Sequence, residues 1–382
     1  MILEYFLEQK PLYYDVIDYE RMPKAYAKIR QHFKIPKIIH IVGTNGKGTT
    51  GRFLAQMLRA NGLHVGHYTS PHILKFNERI WLDGADVSDT ILEEAHQTLL
   101  SWLDADVANS LSYFEYTTLL AMVIFSQHCE YVVLEAGLGG EYDATNIFPK
   151  ILSIVTPIGI DHQAFLGESI EAIAQTKINS VCTDVVLAKQ YAKEVYPIAQ
   201  ARTKQYGAHM YSVEAFFDEK TKNALSNTLS SLQLPSFLEE NFKTALCALR
   251  VLGYDMAQER LDFNVLNGRC QKIFPHVTID VGHNAMAAEA LAKTFLGKRV
   301  FLVYNSYKDK DFTAILKILQ PIIHTLLVIE IQSPRAASQN DIYAVALGLG
   351  IKTEPFCGID EDKEYLVFGS FSVVEAFLKG VK

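Results

Sequence analysis

The sequence predicts an α/β protein of two successive parallel-sheet domains: a P-loop-type domain over residues 1–266 and a smaller Rossmann-like domain over 267–382. Three observations carry that expectation. Short β-rich runs alternate with helical patterns, which argues for a mostly parallel sheet covered by helices. A glycine-rich stretch, Gly43 to Thr50, separates an apolar run from a helix. A second, shorter alternation begins after Gly268.

Size agrees with this division, since 382 residues are too many for one ordinary domain and suit two. A hydrophobic share of 49% leaves enough apolar residues to fill a core in each half. The net charge of -7 argues against a nucleic-acid binder, so an anionic substrate needs a local positive pocket. The cysteines at 129, 182, 247, 270 and 357 form no CxxC pair, which points away from zinc and from a disulfide framework and fits a reducing cytoplasm. Met1 to Phe6 has no basic segment before an apolar run, and no apolar stretch is long enough to span a bilayer. A cytoplasmic protein with no membrane partner is expected.

Lys37 to Val42 reads as a buried strand, followed by the glycine-rich turn and a helix from about Thr49 to Asn61, which Gly62 ends. Leu63 to Thr69, Tyr131 to Glu135 and Ile151 to Thr156 are the next strands, and Glu168 to Ile178 is a helix. The Ser/Asn-rich stretch from Asp218 to Leu234 reads as a loop-dominated excursion. A helix over Asn241 to Leu252 closes the first domain, with Phe263 to Gly268 as linker. In the second domain, strands are expected at Val277 to Val281, Arg299 to Tyr304, Thr325 to Ile331 and Tyr365 to Phe368. Helices are expected at Asn284 to Leu296, Phe312 to Ile323 and Asp341 to Leu349. There is no GxGxxG fingerprint, so no dinucleotide is expected.

Gly43-Thr44-Asn45-Gly46-Lys47-Gly48-Thr49-Thr50 has the strand–loop–helix context of a phosphate-binding loop. Glycines let backbone N–H groups close around phosphates, the helix adds its positive end, and Lys47 can neutralise the β/γ-phosphates. Gly48 stands where a hydroxyl usually binds Mg²⁺. Either Thr49 takes that role or the metal draws its oxygen from elsewhere.

Ser70, just past a strand, either supplies such a hydroxyl or starts a turn with Pro71. Glu135 ends an apolar strand, where a Walker-B type acid would hold Mg²⁺; the plainer reading is an exposed strand-end acid. Asp143-Ala144-Thr145-Asn146 can hydrogen-bond a polar substrate. His162 suits a metal or acid–base role, but a lone histidine is more often solvated or packed. Lys177 alone reads as a surface lysine.

Taken together, these motifs resemble the folylpolyglutamate synthase/dihydrofolate synthase family of the Mur ligase group. The likeness runs through Gly43 to Thr49, Tyr68 to His72, Phe76-Asn77-Glu78-Arg79 and Leu134 to Asn146. It continues through Asp161-His162, Asn267-Gly268-Arg269, Asp280 to Asn284, Lys308 to Asp311 and Gly369-Ser370-Phe371, covering nearly the whole chain. The resemblance implies an ATP-dependent ligase that adds L-glutamate to dihydropteroate, to tetrahydrofolates or to both, with ATP in the cleft between its domains. It implies ATP contacts at Thr44, Asn45, Gly46, Lys47, Gly48, Thr49, Asn241, Arg269 and Asp280, with Arg269 on the terminal phosphates, Asp280 on the ribose and His283 flanking the nucleotide. Ser70, Glu135 and His162 are implied as Mg²⁺ ligands, and Lys177 as a carbamylated lysine serving a second metal.

Tyr113 to Thr117, including Phe114, Glu115 and Tyr116, resembles the pterin-lining segment of bifunctional members; plain core packing is the competing reading. Asp143, Ala144 and Asn146 complete the implied substrate side. There are departures. Thr176-Lys177-Ile178-Asn179 stands where the family usually has Glu-Lys-Ala-Gly, and Ala285 follows Asn284 where a proline is usual. Asp15 to Lys28 only weakly resembles the family's pterin loop. The resemblance suggests a monomer. The competing functions are another Mur-type amino-acid ligase and a P-loop ATPase that forms no bond.

Overall fold

The computed structural model describes residues 2–11, 18–257 and 264–381. Phe263 of the expected linker and residues 15–17 of the weakly matching N-terminal stretch lie outside these. The chain forms two compact units: Met1–Ser231 with Glu240–Asn264, and Leu232–Glu239 with Val265–Lys382. No helix among the described residues is long and apolar enough to cross a membrane.

The first unit holds an eight-stranded sheet of β1 (Lys37–Val42), β2 (Val65–Tyr68), β3 (Ile80–Leu82), β4 (Ala85–Asp86), β5 (Tyr131–Glu135), β6 (Leu152–Val155), β7 (Val185–Leu187) and β8 (Met210–Ser212). Its order is β4-β3-β2-β5-β1-β6-β7-β8. All pairings are parallel except the edge, where β3 runs antiparallel to β2 and β4 to β3. Ile38 to Val42 is buried on both faces, as a strand covered by helices on either side must be. Register brings four strand ends to one edge. Ile41 lies opposite Glu135, Val42 opposite Val155, and Tyr68 opposite Leu134. The segments that follow β1, β2, β5 and β6 therefore emerge together at the carboxyl edge, where open α/β sheets bind ligands.

The helix after β1 spans Lys47–Ala60, starting two residues before the expected Thr49 because Gly46, at φ +84°, takes the left-handed turn that opens it. One expectation is corrected. The excursion from Asp218 to Leu234 is a helix, Glu219–Leu232. Leu225 and Leu229, four apart, are both buried, and the Asp218 carboxylate accepts the Thr221 N–H at 2.8 Å to cap its first turn. The polar Ser/Asn content belongs to the helix and not to a loop.

The second unit carries a six-stranded sheet of β9 (Gln271–Phe274), β10 (Val277–Asp280), β11 (Val300–Tyr304), β12 (Ile323–Val328), β13 (Thr353–Pro355) and β14 (Tyr365–Phe368). The order is β13-β12-β11-β14-β10-β9, with only β9 antiparallel. Its core gathers Leu291, Leu302, Leu316, Ile342 and Phe368. The edge strands β9 and β13 and the last helix, Phe371–Gly380, are additions to the sequence reading. Edge strands are short and half-exposed, so they leave little apolar pattern to read.

Candidate functional site

The site of the first unit is built around the glycine loop. Two backbone N–H groups, of Thr44 and Asn45, donate to the Pro157 carbonyl at 2.9 and 3.2 Å. The Thr44 hydroxyl donates to Gly159 O and accepts from Gly159 N, at 3.1 and 3.0 Å. The loop is thus stitched to the exit of β6. A Cβ on Gly46 would stand 2.5 Å from Asn241 Oδ1, so that position needs glycine for space as well as for its φ. Asn241 is itself buried against the loop.

Lys47, the first helical residue, folds back so that Nζ donates to Gly43 O and Thr44 O, each at 3.2 Å, and stands 3.9 Å from Glu135 Oε1. Glu135 is buried, with Oε2 accepting the Thr69 hydroxyl and, at 3.3 Å, the Ser70 N–H. Ser70 is joined to Pro71 by a cis peptide. Lys177 reaches the same place from the helix Ile170–Ile178. Its Nζ is buried and donates to Gly43 O at 2.9 Å. Burial first, and then the positive charge of Lys47, bring its pKa down to about 7, against a raising influence from Asp161 and Asp143. Lys177 is therefore no surface lysine.

His162 sits at φ +52° ahead of the short helix Gln163–Leu166. Its N–H donates to the buried Asp161 Oδ1 at 2.9 Å, and its Nε2 lies 4.0 Å from that same oxygen. The hydroxyls of Thr49 and Thr50 are buried without a hydrogen-bond partner among the described residues. Unpartnered buried hydroxyls in the first turn of the helix that Lys47 opens suit a phosphate with its cation, which would satisfy them.

The expected substrate residues divide. Phe114 is half-buried, its ring 5.9 Å from that of Tyr68 and so close to the loop after β5 that a Cβ on Gly137 would meet it at 2.7 Å. Glu115 is tied down: it closes a capping box with Ser112 and pairs with Arg21 Nε at 2.7 Å. Tyr116 needs correction. It is fully buried, its ring 4.7 Å from Phe6 and its hydroxyl 2.7 Å from His96 Nδ1, so it is core and not a stacking wall. Asp143 is buried with its oxygens committed, Oδ1 to Thr145 N and Oγ1 and Oδ2 to Leu138 N. Ala144 is buried, and Asn146 Nδ2 donates to Glu141 O at 2.8 Å.

Sequence reasoning missed His40 and Lys150, both buried behind this loop. The available signal was chemical: a histidine inside an apolar central strand has to find a partner.

In the second unit, Asp280 ends β10 and is buried, with Oδ1 accepting Gly282 N at 2.7 Å and Oδ2 accepting Cys270 N at 2.9 Å. Burial pushes its pKa up, and Arg269 nearby pulls it back. The Arg269 guanidinium lies 5.4 Å from the Phe371 ring centroid. His283 Nδ1 is 3.5 Å from Val281 O.

Comparison with known proteins gives a consistent set. No protein-family model matches the chain. A dihydrofolate synthase/folylpolyglutamate synthase of Haemophilus influenzae is 33% identical over 340 residues, covering 80% of this chain and 76% of the relative. The crystal structure of Helicobacter pylori folylpolyglutamate synthetase superposes with a TM-score of 0.80 at 38% identity, covering 99% and 97% of the two chains. Escherichia coli FolC in complex with DHPP and ADP gives a TM-score of 0.84 at 28% identity, covering 99% and 97%.

Proposed function

The chain belongs to the dihydrofolate synthase/folylpolyglutamate synthase family, and from that premise we propose that it is an ATP-dependent ligase joining L-glutamate to dihydropteroate and to the glutamate tail of tetrahydrofolates. The observation that carries the reading is the convergence of Lys47, Glu135 and Lys177 on the glycine loop: Lys47 and Lys177 both donate to Gly43 O, and Lys47 lies 3.9 Å from Glu135. Two lysines and a buried acid around one phosphate loop suit phosphoryl transfer, where catalysis is mostly positioning and charge stabilisation.

In the proposed sequence, ATP lies on the loop with its γ-phosphate toward Lys47. The substrate carboxylate attacks that phosphorus and ADP leaves, which gives an acyl phosphate. The glutamate amine then attacks the acyl carbon, loses a proton and expels inorganic phosphate. Lys47 moves from backbone carbonyls to phosphate oxygens. Nucleotide-binding roles are proposed for Arg269, Asp280 and His283 of the second unit on the family resemblance. The Thr49 hydroxyl, buried without a hydrogen-bond partner among the described residues, leaves an oxygen that a bound phosphate or its cation would satisfy. Ser70, Glu135 and His162 would hold Mg²⁺, which supplies neutralising charge to the phosphates. Lys177, with its pKa near 7, carries an ample neutral fraction at physiological pH. Its amine can add CO₂ and release a proton, which replaces a cation by an anionic carbamate. Phe114 is the proposed aromatic neighbour of the pterin. The same reading takes the enzyme to be a cytoplasmic monomer.

Steady-state turnover with dihydropteroate and with tetrahydrofolate, each with ATP and glutamate, tests the proposal. ADP release that depends on both pterin and glutamate is expected with either acceptor. ATP hydrolysis indifferent to both would replace the ligase by an ATPase switch.

A further inference from the structure

Behind the substrate side of the first unit lies a polar chain that the proposed chemistry does not use. Lys150 is buried, and its ammonium has three acceptors: His40 Nδ1 at 3.3 Å, Ser180 O at 2.9 Å and the Asn146 side-chain oxygen. Three N–H groups meet three acceptors, which is the full capacity of an ammonium. Each later bond then has one direction. His40 Nδ1 accepts from Lys150, so Nε2 carries the ring proton and donates to Thr145 Oγ1 at 2.8 Å. That hydroxyl donates to Asp143 Oδ1 at 2.5 Å, and Asp143 Oδ2 accepts Leu138 N at 2.9 Å. The chain runs from a buried cation to a buried carboxylate, through neutral groups that each donate once and accept once.

Its end points are informative. His40 is on β1, the strand that delivers the phosphate loop. Asn146, Thr145 and Asp143 belong to the loop that follows Glu135. Ser180 lies in the turn after the Lys177 helix, its N–H 3.3 Å from Lys177 O. A second set of contacts holds the same loop to the same helix. Glu141 N donates to Thr176 O at 3.1 Å, Asn179 Nδ2 donates to Glu141 Oε2 at 2.7 Å, and a Cβ on Gly140 would stand 2.4 Å from Lys177 O. One ammonium thus spans the three segments that carry Gly43, Glu135 and Lys177.

We propose that Lys150, acting through His40, Thr145 and Asp143, is a positioning residue that holds the 137–146 loop against β1 and the Lys177 helix, and so sets the folate side of the site. The proposal rests on the ligase reading above. The phosphate loop has its own anchors in Pro157 and Gly159, outside this chain. Loss of Lys150 therefore acts on the acceptor substrate more than on ATP.

The test is Lys150→Met, which keeps length and loses the donors, beside Thr145→Val and Thr145→Ser in the full-length protein. Amide exchange over 137–146 is compared with that of the sheet, and KM is measured for dihydropteroate and for ATP. In Lys150→Met and Thr145→Val, exchange over 137–146 should accelerate and KM for dihydropteroate should rise about tenfold, with KM for ATP held within about twofold. Thr145→Ser, which keeps the hydroxyl, should restore both. If Lys150→Met does not fold, the isosteric Thr145→Val decides. Unchanged exchange over 137–146, or KM for ATP rising in step with KM for dihydropteroate, overturns the proposal. Faster exchange in a protein whose wild type shows no pterin-dependent turnover upholds the loop anchor and removes the ligase reading instead.

Discussion

Lys150 and Lys177 stand on the same unit and are buried to a similar degree, yet their surroundings differ. The Lys150 ammonium meets a full set of acceptors in His40, Asn146 and Ser180. Among the described residues Lys177 donates to Gly43 O alone, and it lies near a second lysine, Lys47. Burial lowers both, to about 8 for Lys150 and to about 7 for Lys177, and the neighbouring charge adds to the fall at Lys177. A buried lysine with every donor satisfied is a strut. One with a single acceptor and a cationic neighbour is a reactive amine.

The widest break between the two is expected in activity. Lys177→Met should lower kcat for glutamate ligation by at least about 100-fold, because an electrostatic partner of the transferring phosphoryl group is lost. Bicarbonate should raise wild-type turnover in CO₂-depleted buffer and leave Lys177→Met unmoved, read by steady-state kinetics and by a ¹³C carbamate resonance. A Lys177→Met enzyme with wild-type kcat would make Lys177 a strut like Lys150.

Stability should separate them in the opposite sense. In CO₂-free buffer above pH 10.5 Lys177 is neutral in both folded and unfolded chains. As pH falls from 10.5 to about 7, the unfolded chain binds a proton that the folded one does not, so wild-type stability drops through this window. Below about 7 both forms are protonated and the penalty stays constant. Denaturant titration should therefore find Lys177→Met more stable than wild type by a margin that widens from pH 10 to pH 7. Lys150 has the same sign over a narrower window, from 10.5 to about 8. Lys150→Met also strands three acceptors, however, and should be less stable than wild type at pH 7.

The contrast also marks what the sequence makes legible. The parallel sheets, the phosphate loop, and the placement of Glu135 and Ser70 at strand ends follow from local pattern, since apolar runs, glycines and helix starts are short-range signals. Lys177 is identified only through family likeness, because a lysine on a helix carries no mark of burial. Lys150 carries no mark of any kind. Its acceptors are 110, 30 and 4 residues away in sequence, and only the closed sheet brings them together. The polar helix Glu219–Leu232 was obscured by the opposite effect, in which composition outweighed the two leucines that anchor it. Tyr116 shows the same limit: one segment supplies both a site neighbour, Phe114, and a core residue, and spacing alone does not say which aromatic faces where.

The smallest effect belongs to Asn179, at the end of the Lys177 helix. Its side chain holds Glu141 Oε2 at 2.7 Å and receives Gln175 Nε2 at 2.5 Å. This is a second brace between the loop and the Lys177 helix, nearer the surface than Lys150. Asn179→Ala removes one charge-assisted, half-exposed hydrogen bond, so a stability loss of about 1 kcal/mol by denaturant titration is expected. KM for dihydropteroate should rise no more than about twofold, since the loss is about one such bond and the buried chain still holds the loop. In Lys150→Met the loop leans more heavily on the outer brace, and the same Asn179→Ala step should then cost clearly more than in wild type. Strict additivity of the two substitutions would mean that the braces act on separate parts of the loop, and that the buried lysine does not share its task with the surface asparagine.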